Sequence, residues 1–95
     1  MPNLSRDAKR KYAIIHALEV LDKPNLQDIV EETAIPAGTV KRQLTSIREE
    51  FRLHILFIRD ASSPEGANGY YSLESWGILD REAFLSHFGS SKVDD

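Results

Sequence analysis

Apolar residues recur three and four positions apart through the first half of the chain, then crowd into short runs in the second. Tyr12, Ile15, Leu18 and Leu21, joined by Ile14 and Ala17, form a wide stripe of the kind one helix face presents. It predicts a helix from Ser5, a capping residue, to about Asp22. Lys23 and Pro24 end it. Leu26, Ile29, Val30 and Thr33 repeat the spacing. Asn25 is placed to cap this second segment, with Pro24 ahead as a breaker. Val40, Leu44, Ile47 and Phe51 carry a third, opened by Pro36, where a missing N–H costs nothing. From Leu53 to Ile58 the period changes, and LHILFI reads as a strand. The stretch from Asp60 to Gly69 is rich in turn residues, and Tyr70 to Leu73 resumes as a second strand. Asp80 is placed to cap a final helix, Arg81 to Phe88, with Phe84, Leu85 and Phe88 apolar and Gly89 as its stop.

The fold class expected is therefore α+β and mainly helical: a three-helix core, a two-stranded wing and a C-terminal helix. One domain spans residues 1–89, and the polar tail 90–95 is expected to be disordered. Only Ala34 and Ile35 separate the second and third helices, so the two must cross steeply, with Ile35 drawn into the angle. That is a helix-turn-helix layout. With Val40 inward, steps of about 100° per residue turn Gly38, Arg42, Thr45 and Glu49 outward, flanked by Thr39, Lys41 and Ser46. Small residues let a helix enter a major groove closely. Arg and Lys reach guanine edges or phosphates, and Thr reaches either. A solvated helix face is the plainer alternative.

The segment Leu26–Ile47 resembles the helix-turn-helix of bacterial winged-helix transcription regulators. Their pattern runs Leu-x-x-Ile-Ala-x-x-Thr-Gly-Ile-Pro-x-x-Thr-Val-x-Arg-x-Leu. The chain matches it at Leu26, Ile29, Thr33, Ile35, Pro36, Thr39, Val40, Arg42 and Leu44. It departs at Val30, where the pattern has Ala at a close approach between helices. It departs again at Ala34, where Gly ordinarily takes a left-handed conformation; Ala held there is strained by about 1 kcal/mol. The resemblance implies a short strand between the first two helices, at Lys23 to Asn25. It also implies a bacterial, cytoplasmic regulator of transcription. Double-stranded DNA would be its partner, with Thr39, Lys41, Arg42 and Thr45 making the contacts and Gly38 and Ser46 beside them. The helix starting at Leu26 would point its first N–H groups at a phosphate. The same resemblance covers winged helices that bind protein, and that is the second expectation.

Charge sharpens the choice without settling it. The formal net charge is −3, awkward for a nucleic-acid binder. Residues 1–52 hold nine Lys and Arg against eight Asp and Glu, and residues 53–95 three against seven. The basic groups thus gather in the helical half. Arg6, Lys9, Arg10 and Lys11 cluster at the start of the first helix, to be read as phosphate contacts or as solvated surface. The wing loop carries Asp60 and Glu65, with Arg59 at its root, where a groove-binding wing ordinarily carries a base at its tip. So acidic a chain binds DNA best in pairs, and a homodimer is expected, its surface supplied by Tyr12 of the first helix and Phe84, Leu85 and Phe88 of the last.

No catalytic constellation stands out. His16, His54 and His87 fall at no metal-ligand spacing, and there is no cysteine. Glu31–Glu32 and Glu49–Glu50 are adjacent on helices, so their side chains diverge. No glycine-rich phosphate loop opens a helix. Neither enzyme activity, nor a metal, nor a cofactor is expected. No apolar run approaches the ~20 residues of a membrane span. Trp76, the single tryptophan, is expected to anchor the wing to the last helix.

Overall fold

In a computed structural model of the chain, residues 5–59 and 69–87 are described. They form α1 (Arg6–Val20), α2 (Leu26–Thr33), α3 (Ala37–Phe51), β1 (His54–Arg59), β2 (Gly69–Ser75) and α4 (Arg81–His87). The order and architecture are those expected. Asp60 and Glu65 of the wing loop, Phe88, Gly89 and the tail 90–95 lie outside the described residues.

Every helix but α3 starts where a side chain takes a free N–H group. Ser5 Oγ accepts the Ala8 N–H at 3.0 Å. At α2 the cap is reciprocal: Asn25 Oδ1 accepts the Asp28 N–H at 2.8 Å, and the Asp28 carboxylate accepts the Asn25 N–H at 3.0 Å. Pro36 sits at the cap position of α3 rather than in its first turn, with no side-chain bond. Asp80 accepts the Ala83 N–H at 3.2 Å. The first helix stops at Val20, short of Asp22, because Leu21 is already extended and Lys23 has a φ of 49°.

The turn between α2 and α3 is stitched by Thr33. Its hydroxyl, fully buried, donates to the Ile29 carbonyl at 2.6 Å and accepts the Ile35 N–H at 3.3 Å. Ala34 takes the left-handed conformation, φ 62° and ψ 28°, at the position where the helix-turn-helix pattern it resembles has Gly. The local strain is tolerated because Ile35 is thereby driven into the core.

That core is built from Ala13, Ile14, Ile15, Ala17 and Leu18 of α1, Ile29, Ile35, and Val40, Leu44 and Ile47 of α3, closed by Leu53 and Ile55. Trp76 meets Phe84 of the last helix as expected, rings 5.4 Å apart, but it is half-buried at the core margin rather than buried. The wing is an antiparallel pair with Ile55 opposite Leu73, Phe57 opposite Tyr71 and Arg59 opposite Gly69, and an irregularity between His54 and Ile55. Among the described residues, hydrogen bonds tie it and the turn after it to the helical half at three points. The Tyr71 N–H donates to the Pro24 carbonyl at 2.8 Å, so the place expected for a short strand contributes one hydrogen bond. Arg48 of α3 donates from Nε and Nη2 to the Ile55 carbonyl, at 3.1 and 2.9 Å. The Ile78 N–H donates to the Phe51 carbonyl at 2.9 Å, ending α3. The last contact needs Gly77: its φ is 55°, and a Cβ there would lie 2.2 Å from that same carbonyl oxygen.

Phe84 does not remain free for pairing. Its ring meets Tyr12 edge-on at 5.4 Å, while Arg81 Nε donates to Glu19 at 3.0 Å. The last helix thus folds onto its own first helix.

Candidate nucleic-acid interface

The two faces of α3 separate cleanly. Val40, Gln43, Leu44 and Ile47 are buried. Gly38, Lys41, Arg42 and Thr45 are exposed, and Thr39 is partly exposed. Nothing lies within 4 Å of a Cβ added at Gly38, so its smallness serves nothing inside the protein. Among the described residues no ion pair engages Lys41 or Arg42. Ser46 is different. It is half-buried, and its hydroxyl donates to the Glu50 carboxylate one turn on.

The basic start of α1 behaves otherwise. Lys11 belongs to a network rather than a surface: its side chain is 7% exposed, it donates to Asp7 one turn back, and it lies 3.3 Å from Glu50 of α3. Gln43, buried on α3, completes the network by donating to Asp7 Oδ1 at 2.6 Å. The Lys11 bond, then that of Gln43, hold the Asp7 carboxyl below its ordinary range. The Ser46 bond, then that of Lys11, do the same for Glu50. Burial pulls the Lys11 ammonium down, but its two carboxylate partners outweigh that and the net shift is upward. The side chain that sequence grouped with possible phosphate contacts thus locks α1 to α3.

Beside Lys41 a cleft of about 350 Å³ opens between the start of α2 and the inner face of the wing. Phe57, Gly69 and Tyr71 form its wing wall, Asn25, Leu26 and Gln27 its helical wall, and among the described residues no carboxylate lines it. Sequence reading singled out neither Phe57 nor Tyr71. The period-two alternation that places Phe57 on the face of Ile55 was the available signal. On the other side of α2 a hollow of about 380 Å³ is lined by Asp22, Asp28, Glu31 and Glu32 with Leu21. That side would repel phosphate. No helix among the described residues is long and apolar enough to cross a membrane.

No protein-family model matches the chain, and no curated protein does. Its fold is similar to that of a solved structure, a DUF2131 family protein from Shewanella amazonensis. The TM-score is 0.71 at 23% identity, over 86% of this chain and 80% of that one. At that identity the likeness concerns the fold alone.

Proposed function

We propose that the protein is a bacterial transcription regulator that reads duplex DNA with the outward face of α3 in the major groove. The observation that carries this is the division of α3. Its inner face is committed to the core, while Gly38, Lys41, Arg42 and Thr45 stand exposed with both cations outside any ion pair among the described residues. Arg42 and Lys41 supply guanine or phosphate contacts, Thr45 and Thr39 reach base edges or backbone, and Gly38 permits close approach. Ser46 takes a lesser part, since Glu50 already holds its hydroxyl. The role is binding, without catalysis, in the cytoplasm.

Two copies on a two-fold site would compensate for the small footprint of one module, about 600–1,000 Å². With Phe84 turned inward, such a pair would use less of the first and last helices than their apolar content suggests. Sedimentation equilibrium at micromolar concentration tests this, and a single species near 10.8 kDa rules the pair out.

The second reading is a winged helix that binds protein. It is favoured by Leu56 and Ile78, large apolar side chains left 41% and 71% exposed. A genome-wide DNA pull-down with sequencing separates the two. Enrichment of a defined motif, lost when Lys41 and Arg42 are both changed to Ala, supports DNA. A wild-type protein that enriches no sequence sinks that reading.

A further inference from the structure

We infer that the wing meets duplex DNA at its root, with the Phe57 ring packed on a deoxyribose of the backbone and Lys41 on the adjacent phosphate. This rests on the reading of α3 as the DNA-facing helix.

Phe57 is 43% exposed although it lies on the same strand face as the buried Ile55. It is nonetheless held in place. Its ring meets Tyr71 edge-on, centroids 4.9 Å apart. It also lies directly over Gly69, where an added Cβ would come within 2.7 and 2.8 Å of two ring carbons and 2.5 Å of the Ile58 carbonyl oxygen. A side chain at position 69 would therefore displace the ring. The outcome is a fixed apolar platform open to solvent on one side.

The cleft beside that platform selects its occupant by charge. Among the described residues Lys41 is its cation and no acid lines it. A ligand that fits must present an apolar ring face next to an anion, and the sugar–phosphate backbone of a nucleic acid repeats that pair along its length. Lys41 also belongs to the outward face of α3, so the cleft continues that face.

The test is a fluorescence-anisotropy titration of a labelled duplex carrying the enriched motif, repeated over a range of salt. Phe57→Ala should weaken binding about tenfold at fixed salt, the scale of losing the burial of an apolar ring against the sugar. The slope of log affinity against log salt should not change, because no counterion-releasing charge is removed. Lys41→Ala should instead flatten that slope by about one unit. Gly69→Ala, which dislodges the ring, should reproduce much of the Phe57→Ala loss, again without a change in slope. Phe57→Arg places a charge at the same exposed point and should steepen the slope by about one unit. If Phe57→Ala binds as tightly as wild type and Phe57→Arg leaves the slope unchanged, while Lys41→Ala weakens binding, the inference falls and the α3 reading stands. If Lys41→Ala and Arg42→Ala together change nothing, the α3 reading itself falls. Preference for the single strand over the duplex, abolished by Phe57→Ala, would overturn the duplex as occupant.

Discussion

Lys11 and Lys41 occupy comparable places near the starts of α1 and α3, and the molecule uses them in opposite ways. Lys11 is enclosed between two carboxylates, one on its own helix and one on α3. Lys41 stands in solvent at the mouth of a cleft lined by no carboxylate among the described residues. The difference lies in what faces each. Lys11 follows Asp7 by four residues, a helical ion-pair spacing, and α3 brings Glu50 and Gln43 against it. The acids nearest to Lys41 on its own helix, Glu49 and Glu50, are more than two turns away. A basic residue near a helix start therefore says little until the acids that reach it are known.

Charge reversal draws the contrast most strongly. Lys11→Glu puts a third carboxylate between Asp7 and Glu50 at a site with little access to water, and should cost about 3 kcal/mol or more. Lys41→Glu should leave stability within about 0.5 kcal/mol and abolish DNA binding. Urea denaturation checks the first half and the anisotropy titration the second. Equal stability of the two variants would break the comparison. Truncation is milder. Lys11→Ala removes a packed aliphatic stem and its ion pairs, and should cost about 1–2 kcal/mol. Lys41→Ala should again fall within about 0.5 kcal/mol. A Lys11→Ala protein melting at the wild-type temperature would mean that the Lys11 network contributes no stability.

Much of the scaffold was readable because helix spacing and capping are local. Asn25 before α2, Ser5 before α1 and the stripe through Ile15 and Leu18 each depend on residues within a turn or two. The left-handed Ala34 could be anticipated only through the family pattern, which fixes the geometry of that turn. What sequence could not supply depends on residues far apart. Asp7 and Gln43 are 36 positions apart, and only the packing of α1 on α3 joins them. The turn of Phe84 onto Tyr12 depends on where the chain arrives after the wing. The Phe57 platform depends on strand register, which places Gly69 beside its ring. Strand ends moved by a residue or two for the same reason: β1 runs to Arg59 and β2 from Gly69 because they pair with each other.

The smallest effect should appear in acid. The folded protein holds the carboxyls of Asp7 and Glu50 below the ordinary values of 3.8 and 4.5. A carboxyl with a lowered folded-state pKa contributes its full stability above the unfolded value and loses it as pH falls through the folded one. The loss should thus begin as pH drops below about 4.5 and continue below 3.8, with no contribution to any change between pH 5 and 7. Both carboxylates are largely exposed, so salt should weaken the effect further. Lys11→Met keeps the buried stem and deletes the charge. Asp7 then loses the larger cause of its shift and retains only the bond from Gln43, while Glu50 keeps its own larger cause, the bond from Ser46. Melting temperatures of wild type and Lys11→Met, measured from pH 7 to 3 at low salt, should run parallel down to about pH 5 and then converge. Adding Ser46→Ala should flatten the remaining slope. Parallel curves all the way to pH 3 would show that Lys11 is held by its packed stem alone, and the ionic half of its contrast with Lys41 would then be lost.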